Sequence, residues 1–172
     1  VAPSRGLGDV YKRQEISGMT NDGNGVGKHE GIAVFVPFTV IGDVIECRIV
    51  KVCKTYCYGI IENIVSGSVE RTKNDCPVYS RCGGCCFRHM SYEEECRVKE
   101  QFIKDSFERI GKLYPEYDSF EGCKQLVGYR NKAQYPVAEQ DGRAVCGFYS
   151  RRSHRVCDHT DCALPVSYTH LT

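Results

Sequence analysis

The 172-residue chain sets 23 Lys and Arg against 22 Asp and Glu, a formal net charge of +1, so a globally basic nucleic-acid-binding surface is excluded and only local ones remain possible. Twelve cysteines, no secretory leader and no apolar run of membrane-spanning length exclude a spanning helix and point to a reducing, cytoplasmic setting without a membrane partner, where clustered thiols hold metal more often than disulfides. The length accommodates one medium domain or two small ones.

Residues 1–14 (VAPSRGLGDVYKRQ) and 165–172 (PVSYTHLT) show no periodicity and resemble translated adapter sequence, so they are expected to be a non-native leader and tail. Residues 15–70 open on Asn21-Asp22-Gly23-Asn24-Gly25-Val26-Gly27 and pass into Gly31-Ile32-Ala33-Val34-Phe35-Val36-Pro37, an apolar run of strand length. The glycine run does not follow a clear strand, and a strand rather than a helix comes after it. It therefore reads as a β-turn region rich in positive-φ positions and not as a dinucleotide-binding loop. Ile45, Cys47 and Ile49 alternate with Glu46 and Arg48, as a half-buried strand requires, and residues 56–65 supply another β-rich run. Short strands at close spacing predict a small barrel of the oligonucleotide-binding type.

The next segment carries Cys76-Pro-Val-Tyr-Ser-Arg-Cys82-Gly-Gly-Cys85. Thiolates spaced C-x5-C-x2-C on a glycine-bearing loop can converge on one soft metal centre, and the distant Cys162 can close the set. An iron-sulfur cluster is the first reading, with structural zinc and unligated or disulfide-bonded thiols as alternatives. Gly83 and Gly84 allow the backbone to curl closely and aim N–H groups at sulfur. Ser91-Tyr92-Glu93-Glu94 then matches a reciprocal capping box and starts a helix over 91–110. Tyr92, Cys96, Ile103, Phe107 and Ile110 form its apolar stripe, Phe102 widens it, and Gly111 ends it.

In the last segment, Gln134-Tyr135-Pro136-Val137 and Ala144-Val145-Cys146-Gly147-Phe148-Tyr149 flank Asp141-Gly142, a hairpin signal. Between positions 124 and 155, seven Lys or Arg face two acids, a local excess of +5, and Tyr129, Tyr135, Phe148 and Tyr149 interleave with them. Guanidinium groups hold phosphates while rings stack on splayed bases, so RNA contact is one reading; a solvated strand face over core aromatics is the other. His154 reads as a surface or phosphate-side residue, not a metal ligand.

Taken together, Gly18-Met19-Thr20-Asn21-Asp22-Gly23 with Val34-Phe35-Val36-Pro37, Cys76-Pro77 with Cys82-Gly-Gly-Cys85, His89 and Tyr92, Gly128-Tyr-Arg-Asn-Lys132, and Gly147-Phe-Tyr149 through Ser153-His154 to Asp161-Cys162 resemble the N-terminal part of TRAM-domain RNA uracil-5-methyltransferases that use S-adenosylmethionine, the 23S rRNA type in particular. The resemblance implies a mainly β fold with one long helix: a small OB-like TRAM β-barrel over 15–70 that grips RNA, then an α+β iron-sulfur and RNA-binding domain over 71–164 that includes the helix, without a Rossmann-like methyltransferase domain, so that the apolar stripe of the helix is expected to be exposed. It implies a 4Fe-4S cluster on Cys76, Cys82, Cys85 and Cys162, with Cys157 the rival fourth ligand and Cys86 a thiol outside the family pattern. It places RNA contacts at Arg130, Lys132, Arg151, Arg152, His154 and Arg155.

In that family a cysteine thiolate adds to C6 of uracil, the enolate takes the methyl group, and a base removes the proton, after the target base has been flipped out. The catalytic groups and the S-adenosylmethionine site lie beyond the part matched here, so none of the twelve cysteines inherits catalysis and the isolated chain is expected to show no methyl transfer. The implied partner is 23S rRNA, with tRNA as the alternative, and the chain is expected to be a monomer. Rival classes are a zinc- or cluster-stabilised RNA-binding module and a small iron-sulfur electron carrier. A radical methylthiotransferase is disfavoured, because that class spaces three cysteines as C-x3-C-x2-C and carries its TRAM domain after the catalytic one.

Overall fold

A computed structural model describes residues 11–159 and 161–166. The chain divides into two compact units, one formed by residues up to 73 with Phe87–Tyr117 and the other by Asn74–Cys86 with residues from Asp118 onward.

The first unit holds strands β1 (Tyr11–Glu15), β2 (Gly18–Met19), β3 (Asn24–His29), β4 (Ile32–Pro37), β5 (Val44–Val52) and β6 (Tyr56–Ser66). They pair in the order β1-β5-β6-β4-β3-β2, antiparallel except for β4 against β6. The two strands at the ends of that order, β1 and β2, are separated by only Ile16 and Ser17, and Ser17 N–H donates to the Val26 carbonyl of β3 at 3.0 Å. The sheet therefore curls until its edges meet, which removes open strand edges. Three register irregularities along β5 and β6 supply the bending.

Alternation decides what fills this barrel. Val34 and Val36 of β4, Ile45, Cys47 and Ile49 of β5, and Cys57 of β6 point inward with Ile16. Burial raises the Cys47 thiol to about 11 and also pushes Cys57 up, so both behave as apolar filling and not as reactive thiols. The glycine run departs from its expected role. Gly23 has a positive φ of 81°, but Gly25 and Gly27 lie inside β3. A Cβ on Gly25 would come within 1.9 Å of Thr39 Oγ1 and 2.8 Å of Ile16 Cγ2, so close packing, not turn geometry, requires the missing side chain there.

Residues 11–14, set aside from the fold on sequence grounds, form most of β1 and pair with β5 from Tyr11↔Arg48 to Gln14↔Ile45. Positions 1–10 and 167–172 of the expected leader and tail lie outside the described residues. Pro165 and Val166 are in place beside Arg130, whose carbonyl accepts from Val166 N–H at 2.9 Å. Gln14 is 2% exposed, and among the described residues neither amide atom has a hydrogen-bond partner. An unsatisfied buried amide is destabilising, so Gln14→Met, which keeps the length and removes both polar atoms, is expected to raise stability by about 1–3 kcal/mol in urea unfolding. A destabilised variant would show that the amide is satisfied in solution.

Asp43 is fully buried between β4 and β5 and collects four donors: Val40 N–H at 2.6 Å, Ser68 N–H at 2.9 Å, and Arg71 through Nε at 2.8 Å and Nη2 at 2.7 Å. The same Arg71 Nη2 donates to the Phe38 carbonyl at 2.9 Å. His89, also buried, completes the seal: its Nε2 lies 2.9 Å from the Thr39 carbonyl, which can only accept, so Nε2 carries the proton.

Helix α1 runs over Tyr92–Asp105 and continues into a π-helical segment, Ser106–Gly111, with Lys112 in the left-handed conformation beyond it. Ser91 Oγ accepts from Glu94 N–H at 3.1 Å, which is half of the expected capping box. The reciprocal half is replaced. Ser91 N–H donates to the Glu70 carbonyl and Ser91 Oγ donates to Glu70 Oε2, while Glu94 accepts from Arg97 Nε at 2.8 Å. The Ser91 hydroxyl, and after it Arg97, hold the Glu70 carboxyl below its ordinary range. The α-to-π change follows Ser106, whose hydroxyl donates to the Phe102 carbonyl at 2.7 Å and competes with the backbone ladder. The buried line of the helix is Glu94 and Val98, and of the apolar stripe Ile103, Phe107 and Ile110 are exposed.

In the second unit, β7 (Val137–Gln140), β8 (Arg143–Tyr149) and β9 (Val156–Asp158) form an antiparallel sheet in that order. Asp141 (φ 53°) and Gly142 (φ 75°) make the expected hairpin turn of primed type. The strand begins at Val137 and not at Gln134, because Pro136 has no N–H for a ladder. Among the described residues no helix is long and apolar enough to cross a membrane.

Candidate cysteine-lined site

Asn74 starts the cysteine loop: its Oδ1 accepts from Cys76 N–H and its Nδ2 donates to the Cys76 carbonyl, both at 3.1 Å. A turn follows in which Cys82 N–H donates to the Val78 carbonyl at 2.8 Å. The loop is then pinned to the end of β8, with Gly83 N–H donating to the Tyr149 carbonyl at 2.9 Å and Arg151 N–H to the Arg81 carbonyl at 3.0 Å. A Cβ on Gly83 would sit 2.9 Å from that same Tyr149 oxygen, so the attachment requires glycine. Gly84 N–H points at Cys82 Sγ at 3.3 Å, the N–H to sulfur contact expected of a glycine-bearing ligand loop.

Two side chains outside the cysteine set, Tyr79 and Arg151, hold the far half of the loop. Tyr79, 5% exposed, donates its hydroxyl to the Cys86 carbonyl at 2.9 Å, and burial pushes its phenol up to about 12. Arg151 lies 5.4 Å over the Tyr79 ring and donates through Nη2 to the Cys85 carbonyl. Expected to touch RNA, Arg151 is thus committed to the loop. A buried aromatic inside a four-residue Cys-Pro-Val-Tyr run is the sequence signal that marks Tyr79.

These supports bring the expected thiols together. Cys76, Cys82, Cys85 and Cys162 line one cavity with the rival Cys157, among apolar walls from Val78, Phe148 and Leu164. The space left between them is small, about 20 Å³. Cys157 is buried, and its thiol is pushed up first by that burial and then by the nearby Cys82. Cys86 does not line the cavity. Among the described residues no group of three or more His, Cys, Asp or Glu is gathered so as to hold a metal ion.

The remaining expected contacts lie on the surface of the same unit. Lys132, Arg152, His154 and Arg155 are exposed, and Arg130 is half-buried beside residues 164–166. Arg152 has a positive φ of 54° in the β8–β9 turn, and His154 stands edge-on to Tyr149 with ring centroids 5.5 Å apart. Arg81, Arg143, Arg151 and Arg155 share an open groove of about 570 Å³ with Asp141 and Asp158. The basic excess of the sequence therefore has a surface, partly offset by acids: Arg143 reaches Asp158 at 3.4 Å.

The curled sheet of the first unit carries residues 13–61, which match the TRAM domain. Over most of its length the chain is similar to proteins named RNA methyltransferases. It is 40% identical over 150 residues to an uncharacterized RNA methyltransferase of Halalkalibacterium halodurans, covering 87% of this chain and 33% of that protein. It is 38% identical over 149 residues to one of Listeria monocytogenes, with the same coverage of 87% and 33%. Among solved structures it is similar to the Pyrococcus abyssi tRNA (uracil-54, C5)-methyltransferase in complex with S-adenosyl-L-homocysteine, with a TM-score of 0.56 and 25% identity over 88% of this chain and 32% of that one. The chain thus spans about a third of the length of the curated relatives it matches.

Proposed function

We propose that this chain is the RNA-seating portion of an enzyme that uses S-adenosylmethionine to methylate C5 of a uridine in RNA, and that Cys76, Cys82, Cys85 and Cys162 hold a 4Fe-4S cluster in its second unit. The observation that carries the reading is the cavity onto which all four cysteines open, in a chain whose first unit matches the TRAM domain. The chemistry of the donors supports the reading: four thiols from two distant segments line one cavity with apolar walls, and a backbone N–H is directed at one sulfur. A cluster held by these residues would tie residue 162 to the loop at 76–85, which is pinned to the end of β8 before the turn that carries Arg152, His154 and Arg155. The motif resemblance favours 23S rRNA, and the name of the Pyrococcus relative makes tRNA the second substrate to try.

Anaerobically purified chain is expected to carry about four iron and four sulfide per molecule with a brown charge-transfer absorbance. Cys76→Ser, Cys82→Ser and Cys85→Ser should each abolish it, and Cys162→Ser should do so while Cys157→Ser does not. Stoichiometric zinc in place of iron would overturn the cluster and favour an RNA-binding zinc module. Weak binding to a 23S rRNA fragment or to tRNA, without transfer from labelled S-adenosylmethionine, is the expected behaviour of the chain alone.

A further inference from the structure

Phe148 of β8 borders two spaces. On one side it belongs to the wall of the thiol cavity, where the cysteine loop passes so near that a Cβ on Gly84 would lie 3.6 Å from its ring. On the other side it borders an open groove of about 550 Å³, lined also by residues 133–137 and Tyr149, none of them charged. The half-buried Tyr135 ring rests on Phe148 from that groove, with centroids 4.8 Å apart and planes tilted by 46°. Cys157 of β9 pairs directly with Phe148, so both side chains leave the same face of the sheet, and Cys157 is 5% exposed.

The groove of Arg81, Arg143 and Arg155 also borders the cavity, at Cys157. Val145 and Val156 line it from the opposite face of the sheet, so the paired backbone of β8 and β9 lies between that groove and the thiols. Paired strands part only by local unfolding. An aromatic ring beside a roomy groove clears a path by turning about its χ1.

We propose that the Phe148 ring, backed by Tyr135, is the gate between the uncharged groove and the thiol cavity, and that small uncharged electrophiles reach the cysteines by this route. An uncharged approach into apolar walls selects against anions, which would lose hydration there and gain no partner. The gate stands on where the thiols lie and not on what they hold, so it applies with iron, with zinc or with neither. It makes Phe148 the residue that sets how fast the cavity thiols are attacked.

The full chain, reduced and freed of metal with a chelator, is alkylated with iodoacetamide or with iodoacetate, and each cysteine is followed by mass spectrometry. In both reactions the thiolate sulfur bonds to carbon and iodide leaves with the electron pair, so the two reagents differ in charge and not in chemistry. Exposed Cys123 gives the rate of an open thiol. Wild-type Cys157 is expected to react at least about 30-fold more slowly than Cys123 and to favour iodoacetamide more strongly than Cys123 does. Phe148→Ala should speed Cys157 at least about 10-fold, Tyr135→Ala about 3-fold because the ring loses its backing, and Phe148→Leu, which keeps most of the bulk, less than about 2-fold. Val145→Ala deletes buried volume from the same strand on its other face and should leave Cys157 within about 2-fold of wild type. Circular dichroism checks folding, and Tyr135→Ala carries the test if Phe148→Ala does not fold. Equal acceleration by Val145→Ala and Phe148→Ala would show general loosening of the sheet and overturn the gate. A preference for iodoacetate at Cys157 would route the reagent past the arginines and overturn it as well. Iron is measured on each sample before chelation. The expected labelling without iron removes the cluster and leaves the gate, whereas iron with labelling that ignores Phe148 and Tyr135 removes the gate and leaves the cluster.

Discussion

Asp43→Asn or Arg71→Met is expected to lower the unfolding free energy of the first unit by about 3–5 kcal/mol, against the 5–15 kcal/mol typical of a whole domain. Asp43 is fully buried and accepts from two backbone amides and both arms of Arg71, so removing either partner strands a charge or leaves donors facing donors. At an m-value of about 1–3 kcal/mol/M the urea midpoint falls by roughly 2 M. Hydrogen exchange of the Val40 and Ser68 amides reports the same event locally, because both donate to Asp43. The double variant should lose less than the sum of the two single losses, since each single change already breaks the pair. Single losses below about 1 kcal/mol would mean that the pair is solvated and does not hold the barrel shut.

Gly147→Ala is expected to cost about 3 kcal/mol, the top of the ordinary range for overpacking, and to part β8 from β9. An added Cβ would fall 1.9 Å from the Cys157 carbonyl oxygen and 2.9 Å from His159 N, and these are backbone atoms that cannot rotate away. Parting the strands breaks the His159 N–H bond to the Cys146 carbonyl, 3.0 Å in the native sheet, and draws Cys157 off the cavity wall. Faster exchange of the His159 amide is the expected readout. Gly142→Ala is the control: its Cβ meets nothing within 4 Å, so only the strain of φ +75° remains, about 1–2 kcal/mol, and exchange of the His159 amide should hold. Equal effects of the two substitutions would show that glycine conformation, and not strand approach, is what Gly147 supplies.

Much of this architecture is legible in the chain because it is set locally. The alternation of Ile45, Cys47 and Ile49 marks the inner face of β5, Ser91 caps the helix, and Asp141-Gly142 turns the hairpin. Each depends on periodicity or turn chemistry within a few residues. Where the reading and the structure part, a distant neighbour intervenes. Glu70 takes the Ser91 N–H that the capping box reserves for Glu94. Barrel closure draws residues 11–14 into β1, and Thr39 comes so near Gly25 that a side chain there is excluded.

The candidate site divides along the same line. Spacing marks Cys76, Cys82 and Cys85 as a candidate ligand loop, the family resemblance adds Cys162, and the four line one cavity with Cys157. That Cys157 joins them on that wall, that Arg151 turns inward onto Tyr79 and Cys85, and that Asp43 meets Arg71 across 28 residues are decided only by the folded chain. The physical reason is that periodicity and turn preference are properties of neighbouring residues, whereas desolvation and charge pairing depend on which remote segments exclude water together.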